Sequence, residues 1–232
     1  MTAYVFAPPA VTSVAVEGIS ERFPVRRIYC VGRNYAAHVR EAGFDPDREP
    51  PFFFMKPTDA IIESGATVPY PPETKNFQYE IELVIAIGKG GKNIKAADAL
   101  NHIYGYTIGI DYTKRDVQMA LRDGGRPWEW GKSFDHSAAI SPIKRVADIG
   151  HKDKGRIWLA VNGTIKQDQD LADMIWKTPE IIEYCSKAQE LFPGDLIYTG
   201  TPAGISPINI GDVVTGEIEG LAKIEQTIGK PK

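Results

Sequence analysis

From Asn76 to Gly88 the chain reads NFQYEIELVIAIG. Its second half is an unbroken apolar run rich in β-branched residues and closed by a glycine, the pattern of a buried strand rather than a helix. Glu80 and Glu82 stand at the entrance to that strand. Strand side chains alternate faces, so these two carboxylates share one face, roughly 6–7 Å apart along the chain. Taken in, they repel each other and need a cation. The plainer alternative is a solvated strand end, because glutamate is seldom buried.

The totals narrow the classes. A length of 232 residues, 43% hydrophobic and 25% charged, suits one globular domain with a sizeable core. The net charge of -3 comes without a Lys/Arg-rich run, which argues against nucleic acid as a partner. No apolar run approaches the ~20 residues that span a bilayer. The N-terminal MTAYVFAPPA lacks a basic segment leading into an apolar one, so no secretory signal is read. Cys30 and Cys185 are far apart and read as reduced core residues, which places the protein in the cytoplasm. Generous glycine (22) and proline (17) favour many turns and short strands.

Residues 1–24 read as a short opening segment, with a strand at 13–16, and residues 25–232 as one α+β domain dominated by strands. A strand at 28–31 ends on Gly32, and a short helix over 35–42 follows. His38 and Glu41 are neighbours on that helix, either a surface contact or a base oriented by a carboxylate. Residues 45–51 form a polar, proline-bearing loop of lid-like composition, and residues 41–50 are expected to order when a keto acid binds. The strand 51–55 leads to Lys56, which caps it or faces a site. Helices are expected over 96–104, 112–121, 170–175 and 178–187. Asp111 closes a strand just before the second of these, where it could serve only as a cap. The Gly/Trp-rich run 124–135 fits neither helical nor strand periodicity and reads as a loop over the core or a cleft. Asn162-Gly163 between two β runs marks a tight hairpin.

Several short runs resemble one family in order along nearly the whole chain. They are Gly32-Arg33-Asn34-Tyr35 with His38 and Glu41, Phe54-Met55-Lys56-Pro57, and Tyr79-Glu80-Ile81-Glu82-Leu83. Asp111 with Arg115, Asp116 and Gln118, then Gly131-Lys132, then Thr199-Gly200-Thr201-Pro202 complete the set. Together they resemble the fumarylacetoacetate hydrolase family. The runs 48–54 and 125–129 are most similar to its fumarylpyruvate hydrolases.

The resemblance implies a mixed β-roll with short peripheral helices, and a homodimer. It implies Mg²⁺ or Mn²⁺ held by Glu80, Glu82 and Asp111; three carboxylates independently suit a hard divalent cation. It further implies a keto-acid substrate and hydrolysis of a carbon–carbon bond in an acylpyruvate, fumarylpyruvate giving fumarate and pyruvate. An acylpyruvase, an oxaloacetate decarboxylase or a 2-hydroxyhepta-2,4-diene-1,7-dioate isomerase on the same scaffold is the alternative. In this reading His38 is the base and Glu41 its orienting group, with Lys132 and Gln118 donating to an oxyanion. Lys132 can equally be a structural partner of the acids. Arg115 and Thr201 hold the keto-acid carboxylate, and Arg126 grips the far carboxylate, with Arg33 and Lys56 next in line. Trp130 departs from the small residue or methionine frequent at its position.

Overall fold

The computed structural model describes residues 3–41 and 49–232. Most of the expected lid, through residue 48, lies outside the described residues. The chain opens with a two-stranded ribbon, β1 (Ser13–Ala15) and β2 (Arg22–Pro24), then β3 (Arg27–Gly32), α1 (Ala36–Glu41) and β4 (Phe52–Lys56). Short strands β5 (Ile61–Glu63), β6 (Thr67–Pro69) and β7 (Phe77–Gln78) precede β8 (Ile81–Ile87). A helical turn α2 (Ala96–Ala99) leads into β9 (Ile103–Asp111) and β10 (Thr113–Lys114). Helices α3 (Arg115–Asp123) and α4 (Glu129–Lys132) follow, then β11 (Ala138–Ile140), β12 (Lys144–Arg145) and α5 (Val146–Ile149). The hairpin β13 (Arg156–Val161) and β14 (Thr164–Asp170) precedes α6 (Thr178–Ala188). The last strands are β15 (Asp195–Tyr198), β16 (Val213–Ile218) and β17 (Ala222–Gly229).

The larger, mixed sheet runs β4-β3-β15-β8-β9-β11-β5, with β12 joined to β9. Within it, β15 is parallel to β3 on one side and antiparallel to β8 on the other. The smaller sheet runs β14-β13-β16-β17-β6. Alternation along β8 divides the core. Ile81, Leu83, Ile85 and Ile87 pack towards the smaller sheet with Ile157, Leu159, Val214 and Ile224. Val84 and Ala86 pack on the opposite face with Ile28, Cys30, Leu196 and Tyr198. Val14, Val16 and Phe23 of the opening segment are buried in this second cluster. Glu82 shares the face of Val84 and Ala86, so its carboxylate points into the hollow of the curled sheet.

The expected strands are present, with informative departures. The 76–88 strand breaks at Tyr79 and Glu80, where the Ile81 N–H donates to the Gln167 side chain (3.0 Å) instead of to a neighbouring strand. The helix expected at 112–121 starts three residues late, because Thr113 and Lys114 pair with β7. The helix expected at 170–175 is the end of β14 plus a 3₁₀ turn, Leu171–Asp173, capped by the Asp170 carboxylate on the Ala172 N–H (2.8 Å). The one at 96–104 ends early, in a 3₁₀ turn at Leu100–His102, and gives way to β9. The Gly/Trp-rich run contains one helical turn, α4. At the hairpin, Asn162 and Gly163 have φ of 50° and 77°, both left-handed, as a tight two-residue turn requires.

Candidate active site and metal centre

The antiparallel pairing of β8 and β9 brings the acids together. Ile81 pairs with Ile110, and one step further the Asp111 N–H donates to the Glu80 carbonyl at 2.8 Å. Directly opposed residues have Cβ atoms about 4.5–5.5 Å apart, so Asp111 faces Glu80, with Glu82 one repeat along. One oxygen from each of Glu80, Glu82 and Asp111 lies within 4.8 Å of the others. All three side chains are buried. Glu82 sits across from Gly109, where a Cβ would meet the Tyr198 ring at 2.5 Å and Val84 at 2.8 Å.

Cations surround two of the three acids. Lys132, carried in by α4 and 1% exposed, donates to Glu80 Oε2 (2.8 Å), Asp111 Oδ2 (2.8 Å) and Thr113 Oγ1 (2.7 Å). Arg115 donates to Glu80 Oε1, to Gln78 Oε1 (2.9 Å) and to Gln118 Oε1 (2.5 Å). Burial alone would raise the Glu80 carboxyl, but Lys132, Arg115 and His38 outweigh it and hold the group well below the usual range. Among the described residues, Glu82 has the Gly200 N–H (2.7 Å) as its direct partner. Burial first, then the charges of Asp111 and Glu80, push Glu82 well above the ordinary value. Asp111 Oδ1 lies 2.8 Å from Lys56 Nζ yet takes part in no aligned hydrogen bond. An all-oxygen donor set and a carboxylate short of positive charge together fit a hard divalent cation.

Of the three acids, Glu80 lines a cavity of ≈ 300 Å³ whose wall also includes His38, Glu41, Arg115, Gln118, Lys132 and Thr201. His38 Nδ1 is 3.2 Å from Glu41 Oε2, and both Glu41 oxygens accept from the Gly204 N–H (3.2 Å). A carboxylate only accepts, so Nδ1 carries the hydrogen and Nε2 keeps its lone pair. For Glu41, burial acts upwards, but the His38 and Gly204 hydrogen bonds prevail and lower it. Thr201 Oγ1 donates to the Ile81 carbonyl (2.8 Å) and accepts from Gln167 Nε2 (2.8 Å), so its hydroxyl is engaged by the scaffold.

Two residues expected at the substrate lie elsewhere. Lys56 is off the cavity wall: its ammonium is drawn to Asp111 and to the carbonyls of Tyr112 (3.3 Å) and Lys132. Arg126 lines an adjoining groove with Arg33, Phe52 and Phe54, not this cavity. Arg33 lines both. Sequence reasoning missed Arg122, Gln78 and Trp128 on the wall and Gln167 behind it. Arg122 had a readable signal: Arg115, Gln118, Met119 and Arg122 are spaced i, i+3, i+4 and i+7, one helix face.

A curled mixed sheet holding a buried Glu/Glu/Asp cluster is the architecture of a known group of proteins. Residues 27–229 match the family model described as Fumarylacetoacetate (FAA) hydrolase C-terminal. The chain belongs to the fumarylacetoacetate hydrolase family. It is 44% identical over 185 residues to fumarylpyruvate hydrolase from a Ralstonia species, covering 80% of this chain and 96% of that protein. The crystal structure of fumarylpyruvate hydrolase from Pseudomonas aeruginosa in complex with Mn²⁺ and pyruvate superposes with a TM-score of 0.95. Identity there is 48%, with 98% of this chain and all of that chain covered. The human mitochondrial oxaloacetate tautomerase FAHD1 is 37% identical over 207 residues, 89% of this chain and 93% of that protein.

Proposed function

We propose that the protein hydrolyses acylpyruvates, with fumarylpyruvate cleaved to fumarate and pyruvate. The observation that carries this reading is the buried three-carboxylate cluster whose Glu80 lines the same cavity as the oriented His38–Glu41 pair. A relative bound to Mn²⁺ and pyruvate supports the metal and the product. Glu80, Glu82 and Asp111 would hold Mg²⁺ or Mn²⁺, which when bound supplies Lewis acidity to the α-keto-acid end of the substrate.

His38 Nε2 takes a proton from the attacking water, and Glu41 fixes the tautomer and balances the imidazolium that results. Such general-base help is worth about 10²–10⁴-fold. Water adds to the carbonyl distal to the pyruvate half. Gln118 uses its carbonyl oxygen on Arg115, which turns its amide hydrogens towards the oxyanion formed there. The bond between that carbon and the pyruvate methylene then breaks, its electron pair leaving with the pyruvate half; the methylene carbon takes up the proton held by His38 to become the methyl group of pyruvate, and the acyl half leaves as fumarate. Arg115 has two further N–H groups beyond its three bonds, and these receive the keto-acid carboxylate. Lys132 spends its three hydrogens on the acids and Thr113, so it acts by holding the cluster's charge. Thr201 supports the wall beside it.

The test is turnover of fumarylpyruvate, maleylpyruvate, acetylpyruvate and oxaloacetate, each with saturating Mg²⁺ and with chelator. Fumarylpyruvate is expected to show the largest kcat/KM and chelator to abolish it. Faster conversion of oxaloacetate than of every acylpyruvate overturns the reading.

A further inference from the structure

A second cavity, of ≈ 480 Å³, shares no lining residue with the first. Its size falls within the range of about 300–1,000 Å³ usual for small-molecule sites. Three elements serve both cavities with different side chains. On β10, Thr113 reaches Lys132, while Lys114 turns to the second cavity. On α3, Gln118 lines the first and Val117 the second. On α4, Lys132 lines the first and Trp130 the second. Tyr70 and Phe134 make an aromatic wall with Trp130, which is 75% exposed and among the described residues stacks on no other ring.

Lys114 is the unusual member of this wall. It is only 8% exposed, yet among the described residues its ammonium makes no hydrogen bond and no ion pair. Its contact is with the Phe134 ring, whose centroid lies 4.9 Å from Nζ. Such a contact offsets only part of the hydration a buried cation gives up. Burial first lowers the Lys114 ammonium, against the pull of Glu73, Asp135 and Asp116. Glu73, Asp135 and Lys232 also line the cavity, but all three are exposed, where water screens their charges.

We infer that this second cavity is a binding site for an aromatic carboxylate, with Lys114 taking the carboxylate and Trp130, Tyr70 and Phe134 the ring. An ammonium only donates and a carboxylate only accepts, so all three hydrogens of Lys114 are open to such a ligand. A charge-assisted hydrogen bond there replaces the solvation the buried ammonium has lost. The aromatic wall selects a flat ligand, since rings attract one another offset or edge to face with centroids 4.5–7 Å apart. A small inorganic anion would leave that wall uncovered. An organic cation would be drawn by Glu73 and Asp135, but it would set its charge beside Lys114 where water is scarcest. The inference does not rest on the reaction proposed above, in which none of these residues takes part.

The experiment is calorimetry with 2-naphthoate, cyclohexanecarboxylate and 2-naphthylmethylammonium on the unaltered protein, Lys114→Met, Trp130→Ala and Arg122→Met, with Mg²⁺ present. The unaltered protein is expected to bind 2-naphthoate more tightly than either of the other two. Its Kd is expected to rise about tenfold or more in Lys114→Met, the scale of a hydrogen bond to a charged group. In Trp130→Ala it is expected to rise about threefold or more, the scale of one aromatic pair. Arg122→Met, altered in the first cavity, is expected to bind it as the unaltered protein does. No binding of 2-naphthoate at millimolar concentration overturns the inference, as does tighter binding of the ammonium compound or equal binding of cyclohexanecarboxylate. A Kd raised in Arg122→Met but not in Lys114→Met places the ligand in the first cavity and also overturns it. Should Lys114→Met fail to fold, the three ligands on the unaltered protein and on Trp130→Ala still decide.

Discussion

Glu80 and Glu82 lie two residues apart in one buried cluster, yet their surroundings drive them in opposite directions. Lys132 and Arg115 hold Glu80 ionised, while Glu82, facing Asp111 and Glu80 with one N–H to help it, resists ionisation. Glu82→Gln keeps an oxygen for the Gly200 N–H and removes a repulsive charge. Its unfolding free energy without metal is therefore expected to stay within about 1 kcal/mol of the unaltered protein. Its Mn²⁺ affinity, followed by the paramagnetic resonance of free ion, is expected to fall more than about 10²-fold, beyond the usual cost of losing a supporting residue. Lys132→Met is the contrasting case. Removing the buried ammonium leaves Glu80 and Asp111 short of charge, and urea denaturation is expected to show a loss of about 3–5 kcal/mol. Added Mg²⁺ recovers part of that loss by binding only the folded chain. Retained stability in Lys132→Met would show that the acids do not depend on it.

At the scale of elements, Gln167 matters more than its place suggests. It projects from β14 of the smaller sheet and meets the entrance of β8 in the larger. Its Oε1 accepts the Ile81 N–H, and its Nε2 serves Thr201 Oγ1 and the Pro202 carbonyl (2.7 Å). One amide thus completes the backbone at the break in the 76–88 strand and steadies the turn whose Gly200 N–H contacts Glu82. Gln167→Leu is expected to cost about 2–3 kcal/mol, since it strands buried polar groups. It is also expected to lower Mn²⁺ affinity by about tenfold or more, through displacement of Glu82. A loss of stability with unaltered affinity would confine Gln167 to the fold.

The acids were legible because strand alternation and a β run ending on Asp111 are local patterns, and so was the His38–Glu41 pair at helical spacing. Gln167 was not, because it lies in a polar-looking strand and its partners are some 30 to 90 residues away. Residue spacing also did not carry that Lys56 lies off the cavity that Glu80 lines and Arg126 on an adjoining groove. Sequence shows a cation near a site but not which buried anion attracts its head group, and Asp111 captured Lys56. The late start of α3 has the same origin, because the two-residue pairing of β10 with β7 is non-local.

At the scale of the molecule, we propose a homodimer of 25.6 kDa chains, which sedimentation at micromolar concentration tests by mass; a single-chain mass there would remove it. Among the described residues no helix is long and apolar enough to cross a membrane. The larger sheet is assembled out of chain order, with β15 seated between β3 and β8. During synthesis, therefore, the first 194 residues leave the ribosome with a gap in the middle of that sheet. The backbone of β3 and β8 faces the gap unpaired, an invitation to mispairing and aggregation until the missing strand arrives. The Gly200 contact to Glu82 arrives later still, so a metal ion cannot rescue a half-made chain. Stalled nascent chains ending at Gly194 are expected to be digested by dilute protease with or without Mn²⁺, whereas chains released after Gly229 resist it. For a cell making this protein, the exposed interval runs from the completion of β8 at Ile87 to that of β15 at Tyr198, about half of translation.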